Sequence, residues 1–122
     1  INVKSHEIFE RKGDDIYCEV PISIVQATLG DEIKVPTLEK KVKFSIPEGT
    51  QPGTQFRLKN KGIPHLNGYG KGNQYVKVKV EVPKDLNAKQ KELLEEFEKE
   101  TEDNNGYSKR KSFFDKVADL FN

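Results

Sequence analysis

Apolar and polar side chains alternate along most of the first two thirds of the chain, the period-2 pattern of strands with one face in a core and one in water. The clearest run is 75–82, with Val76, Val78, Val80 and Val82 on one side and Lys77, Lys79 and Glu81 on the other. Ile16, Cys18, Val20 and Ile22 make a second strand against Tyr17, Glu19, Pro21 and Ser23, a phase that turns Cys18 inward as a small apolar filler. Ile33 and Val35 begin a third, closed by Pro36. Val42, Phe44 and Ile46 make a fourth, with Lys41, Lys43 and Ser45 opposite, and Phe56 and Leu58 a fifth. Ser23 stands as an N-cap with Gln26 three residues on and Gly30 where a helix would stop, so one or two helical turns are predicted between the strands.

After Pro83 the period becomes helical. Asn87 and Gln90 are spaced as a capping box; Leu93, Leu94 and Phe97 mark one face of a helix of about a dozen residues, with Glu95 and Lys99 as an i,i+4 pair. "TEDNNGYSK", 101–109, reads as linker by composition. The closing "SFFDKVADLFN" then sets Phe113, Phe114, Val117, Leu120 and Phe121 on a single helical stripe. The pattern as a whole is mainly β: a small two-layer β-sandwich with one short helix, followed by C-terminal helices.

Two glycine-rich stretches invite a phosphate-binding reading. In "FSIPEGTQPGTQFRLKNKGIP", 44–64, Gly49 and Gly53 are too close for a loop that wraps phosphates, and no Gly-Lys-Ser/Thr follows. "GYGKGN", 68–73, lacks the GxGxxG spacing and precedes a strand instead of a helix. Both read as turns between strands, with Pro47, Gly49, Pro52 and Gly53 supplying fixed or positive φ.

Composition narrows the function classes. With 122 residues, 34% hydrophobic and 34% charged, the core is thin and the surface heavily solvated, which suits two layers. The 21 lysines and arginines nearly cancel the 20 aspartates and glutamates, so no overall field points to nucleic acid or an anionic membrane. The charge is uneven locally: 34–61 holds seven cations against two acids, and 84–103 four cations against eight acids. A nucleic-acid module would use Lys34, Lys40, Lys41, Lys43, Arg57, Lys59 and Lys61, but no stacking aromatics stand between them, and alternating lysines are what a wet strand face carries. A sandwich built for adhesion or carbohydrate would display aromatics; there is no tryptophan, and Tyr69 in its glycine loop is the one evident candidate.

Neither nucleic acid nor a membrane is therefore expected as a partner, and no apolar run is long enough for a signal peptide or a span. Cys18 is the one cysteine and His6 and His65 the two histidines, too few for a disulfide or a metal-ligand set, so a reducing cytoplasm is expected. His65 sits in a Gly/Pro turn, His6 beside Ile8 and Phe9 reads as packed or capping, and Ser23 and Ser45 fall in cap and strand patterns. No catalytic triad can be assembled from them, and an enzyme is not expected. The chain opens on Ile1, contains no methionine, and has Ile1 and Val3 already alternating, which suggests a piece of a longer protein.

The stretches "HEIFERKGDDIYCEVPIS", "ATLGDEIKVPTLEKKVKFSIPEGTQPGTQFRLKNKGIP", "YVKVKVEVPKDLNAKQKELLEEF" and "SFFDKVADLF" resemble, in order and over essentially the whole chain, the C-terminal part of bacterial DnaJ-type J-domain co-chaperones. The resemblance implies the last strand and exit of a preceding sandwich over 1–9, a second C-terminal β-sandwich domain over 10–84, and a helical dimerisation region over 85–122. In that family the whole protein holds unfolded or extended polypeptides, delivers them to the seventy-kilodalton heat-shock chaperone and stimulates its ATPase. The His-Pro-Asp tripeptide that carries the stimulation and the CxxCxGxG repeats that hold zinc are absent here, so neither activity, nor any cofactor, is expected of this stretch. The resemblance implies a homodimer for it; the helical stripe supplies Phe113, Phe114, Val117, Leu120 and Phe121 as anchors with Leu93, Leu94 and Phe97 in support, and the residues leave open the alternative that this stripe folds back on its own sandwich. The residues themselves suggest a weak client surface along edge-type strands, with Ile33, Val35, Leu38 and Phe44 as its candidates.

Overall fold

The computed structural model describes residues 8–104 and 106–122; Ile1, Val3 and His6 lie outside them. The chain divides into two units, Ile1–Pro83 and Lys84–Asn122.

The first unit is built from β1 (Glu10–Lys12), β2 (Asp15–Ser23), α1 (Ile24–Leu29), β3 (Asp31–Pro36), β4 (Lys41–Ile46), β5 (Gln55–Leu58) and β6 (Gln74–Glu81). One sheet has the order β1-β2-β6-β5; the other is the β3-β4 hairpin. β2 and β6 run parallel, while the remaining pairs are antiparallel. Their register sets Cys18 beside Val76, Val20 beside Val78 and Ile22 beside Val80, with Phe56 of β5 beside Val76. In the hairpin, Ile33 faces Phe44 and Val35 faces Val42. Because side chains alternate across a strand, each register stacks one apolar row toward the other sheet. The rows close into two clusters, Phe9, Ile16, Cys18, Val35 and Val76 in one and Ile22, Ala27, Ile46 and Val78 in the other. The two layers and the inward Cys18 are those the alternation predicts.

Two proline and glycine positions show how local chemistry permits this layout. Pro21 lies mid-strand, paired with Lys79, but β1 covers β2 only as far as Tyr17, so its missing N–H interrupts no ladder on that flank. Gly30 closes α1 at φ +78°, and a Cβ there would meet the Ile46 carbonyl oxygen at 2.7 Å. The start of α1 is a reciprocal box: Gln26 N donates to Ser23 Oγ at 3.0 Å, and Ser23 N donates to Gln26 Oε1 at 2.9 Å.

The glycine-rich stretch 59–73 is packed against the β1–β2 turn and serves as scaffold. Ile63 N donates to the Asp14 carbonyl at 2.8 Å, and Gly62 N donates to the Gly72 carbonyl at 2.9 Å. A Cβ on either glycine would collide with that same Asp14 carbonyl. Asn73 N donates to Asp15 Oδ1 at 2.7 Å, and His65 Nδ1 lies 2.8 Å from Asp14 Oδ2.

The second unit holds α2 (Ala88–Asn104) and α3 (Ser108–Leu120). The capping box forms as spaced, with Asn87 N to Gln90 Oε1 and Gln90 N to Asn87 Oδ1 both at 2.8 Å. Three local expectations are corrected. The linker read over 101–109 is largely helical: α2 has 17 residues instead of about a dozen, and Thr101 stays in it by donating its hydroxyl to the Phe97 carbonyl at 2.7 Å. Among the described residues the ion pair formed within α2 is Lys89–Glu92 at 3.8 Å, in place of Glu95–Lys99. Val82 lies beyond the end of β6 and is exposed.

Candidate interaction surfaces

The eight side chains expected at a dimer contact fall on α2 and α3, and most of them face solvent. Leu93, Leu94 and Phe97 on α2 are exposed, as are Phe113, Phe114 and Leu120 on α3; Phe121 caps α3 at 83% exposure, and Val117 is half-buried. Phe113 and Phe114 meet edge to face, with ring centroids 5.0 Å apart. No residue of α3 is buried. A helix of 13 residues is marginal in water on its own, because nucleation is costly and its stability ordinarily comes from packing an apolar face. α3 therefore carries the means of its own stabilisation, five large apolar groups, with little of it used within its own unit.

The candidate client residues separate. Val35 has no exposed surface and belongs wholly to the core. Ile33, Leu38 and Phe44 are half-buried, packed against the clusters on one side and open on the other. Phe44 leans on Phe56 at a centroid distance of 4.9 Å, and Leu38 rides on a turn pinned by Thr37, whose N–H donates to the Lys40 carbonyl at 2.9 Å. β3 and β4 pair only with each other among the described residues, so the outer edge of each carries no strand partner there. Each outer edge of the hairpin is backbone able to accept another strand, and these three partly buried side chains lie on the same hairpin and its turn.

On the outer faces, charge is interleaved. Lys43 lies 3.9 Å from Glu32, and Lys79 lies 3.8 Å from Glu19. Lys71 bonds Glu39, and that bond, with the charges of Lys71, Lys61 and Lys40, holds the Glu39 carboxyl below the usual carboxylate range. Lys34 and Lys43 do stand opposite each other in the hairpin, but the Glu32 and Glu39 contacts break the basic segment into mixed patches. Tyr69 and Leu66 are both exposed on the glycine loop.

Three polar features escaped the sequence reading. Gln74, at the head of β6, has no exposed surface; its Nε2 donates to the Pro36 carbonyl at 2.8 Å and lies 3.5 Å from Cys18 Sγ. Burial pushes the Cys18 thiol up, and the Gln74 contact offsets that only in part. His65, expected as a surface-loop residue, pairs with Asp14 across 51 positions of sequence. Arg110 Nη1 donates to Glu98 Oε2 at 2.9 Å and joins α2 to the first turn of α3. Of these, only the inward phase of Gln74, two residues before Val76, was visible as a pattern. Among the described residues no three His, Cys, Asp or Glu side chains are grouped to hold a metal, and no helix is long and apolar enough to cross a membrane.

Comparison with known proteins covers both units. A family model described as the DnaJ C terminal domain matches residues 1–83, and one described as the chaperone protein DnaJ C-terminal region matches residues 89–122. The chain is 63% identical over 121 residues to the chaperone protein DnaJ of Clostridioides difficile, an alignment covering 99% of this chain and 31% of that protein. It is 63% identical over the same length to the chaperone protein DnaJ of Halothermothrix orenii, covering 99% of this chain and 32% of the relative. Against that of Geobacillus kaustophilus the identity is 56% over 119 residues, 98% of this chain and 31% of the relative. The chain spans about a third of the length of the curated relatives it matches.

Proposed function

This chain belongs to the DnaJ C-terminal domain family, and on that premise we propose that it is the dimerisation and client scaffold of a co-chaperone. It is non-enzymatic, works in the cytoplasm, and forms part of a protein that hands unfolded polypeptides to the seventy-kilodalton heat-shock chaperone. Residues 10–84 supply the sandwich and 85–122 the join between two copies, with 1–9 leading in from a preceding domain. No zinc or other cofactor is needed for either role, because both depend on packing and backbone pairing.

The observation that carries the reading is the open apolar surface of α2 and α3. Seven of its large side chains, Leu93, Leu94, Phe97, Phe113, Phe114, Leu120 and Phe121, are exposed. Fully burying each contributes about 1.5–3 kcal/mol. A second copy offers the same set, so a two-fold contact doubles the area removed from water and can exceed the about 4–15 kcal/mol of freedom lost on association. Two linked sandwiches then act on one polypeptide at raised effective concentration, which compensates for a weak site on each.

The client surface is the hairpin that carries Ile33, Leu38 and Phe44, with its β3 and β4 edges and with Val35 in the core. Partly buried side chains leave much of the ordering cost of an extended peptide uncompensated, so a single chain binds weakly, with Kd above about 10 μM. The test is a titration of the isotope-labelled chain with an extended apolar peptide, followed by NMR. Chemical-shift changes confined to β3, the 37–40 turn and β4, saturating in that range, support the reading. Nanomolar binding, or shifts elsewhere with none on the hairpin, overturn it.

A further inference from the structure

α2 and α3 meet at a corner where each helix carries charge of the wrong sign for its own dipole. The last two turns of α2 hold Glu98, Glu100 and Glu102 with Lys99 among them, and the last turn itself has no basic residue, at an end that favours cations. The first turns of α3 hold Lys109, Arg110 and Lys111, with no acidic residue in the first turn, at an end that favours anions. Tyr107, in the N-cap position of α3, offers no side-chain acceptor to the free amides there. Taken separately, both helix ends are poorly made.

Brought together, the same charges become complementary. Arg110 Nη1 donates to Glu98 Oε2 at 2.9 Å, and the guanidinium lies 4.6 Å from the centroid of the Tyr107 ring. The Glu98 bond, joined by the charge of Glu102, makes Arg110 hold its proton more firmly than usual. Thr101, 7% exposed, is the buried residue of this unit among those described. It lines a cleft of about 280 Å³ with Glu102, Tyr107, Arg110 and Phe114. An isolated surface ion pair contributes little, but here one cation meets both a carboxylate of α2 and an aromatic face at the start of α3.

We propose that Arg110 is a positioning residue: with Glu98 and Tyr107 it forms an electrostatic clasp that fixes the angle between α2 and α3. The clasp presents the Leu93, Leu94 and Phe97 face and the Phe113 and Phe114 face as one surface to a second copy of the chain. Raising the ionic strength releases it. Its role in presentation rests on the dimer reading above; the clasp itself does not.

The experiment reads the corner within a single chain. Spin labels placed at Lys91→Cys and Lys116→Cys in a Cys18→Ala background, diluted with unlabelled chain, report one intramolecular distance distribution. In low salt it is narrow. At about 1 M salt, where the screening length falls to about 3 Å, the narrow component is lost. Glu98→Gln and Arg110→Gln each remove most of it, and the double variant is no broader than either single, because one interaction is being deleted in all three. A distribution unchanged in the single variants or in high salt, or losses that add in the double variant, overturns the clasp. Sedimentation of the same variants without labels reads presentation: about threefold or more weaker self-association supports it, and an unchanged dimer with an opened corner overturns it. If the parent chain is itself monomeric, the dimer reading fails while the distances still decide the clasp.

Discussion

Gln74 Nε2 donates to the Pro36 carbonyl at 2.8 Å, a single side-chain bond that ties the end of the β3–β4 hairpin to the centre of the four-stranded sheet. Gln74 is fully buried, and its Oε1 is a buried polar atom with no partner among the described residues. The amide is thus held in the core for the bond its nitrogen makes, at some cost for the oxygen. Gln74→Ala removes the bond, strands the Pro36 carbonyl and leaves a cavity. The expected loss is about 2–4 kcal/mol of unfolding free energy, read from the urea midpoint at unchanged m. A loss below about 0.5 kcal/mol would mean that the layers are held by apolar packing alone.

The glycine loop gives a comparison within one segment. Gly72 has no room for a Cβ against the Asp14 carbonyl, whereas Gly68 has open space around it and only a positive φ of 84° to maintain. Gly68→Ala should cost about 1–2 kcal/mol, the strain of a left-handed alanine. Gly72→Ala should cost more than about 3 kcal/mol or prevent folding, since backbone on both sides must move. Thermal unfolding of the two variants side by side checks the order; equal costs would contradict the packing of this loop on the β1–β2 turn.

Cys18 supplies a pH signature. Burial raises its thiol pKa in the folded chain above the ordinary value of about 8.5. The folded state then keeps its proton where the unfolded state has lost it. The stability this contributes is fully present below the ordinary thiol pKa and is lost as the pH rises through and above that value. Between pH of about 7 and about 9.5, the parent should lose more stability than Cys18→Ala does. The folded thiol should also react with an aromatic disulfide reagent much more slowly than the unfolded one. Fast labelling of the native chain would contradict the burial.

How much of this was legible depended on whether a residue's role was local. The strands around Val76–Val78–Val80 and Ile16–Cys18–Ile22 showed in their alternation, because one buried face imposes period 2. Both capping boxes showed in their spacing, because a cap is satisfied within three residues. β1 did not, since Glu-Arg-Lys has no apolar phase and is a strand only through its pairing with Asp15–Tyr17. The run of α2 through "TEDN" was hidden by residues of low helix propensity, whose helical state is supported by the bonds of Thr101 and Glu98. Neither Asp14–His65 nor Gln74–Pro36 could be seen, because the first follows from the parallel pairing of β2 with β6 and the second from the packing of the β3–β4 hairpin on the four-stranded sheet. At the proposed surfaces, the helix stripe of Phe113, Phe114, Val117 and Leu120 was readable as amphipathic. Val35 was not separable from Ile33, because two inward positions on one strand differ in burial only by what the opposite layer places over them.

Joining of two copies through α2 and α3 is read from sedimentation equilibrium of the intact chain. At tens of micromolar, about the range in which a contact of several buried aromatics is populated, the account predicts a mass of two chains. It also predicts a shift toward one chain for Phe113→Ala/Phe121→Ala and for a chain ending at Lys109. An intact chain that sediments as a monomer at that concentration contradicts the account. A truncated chain that stays fully dimeric contradicts the choice of α3 as the anchor.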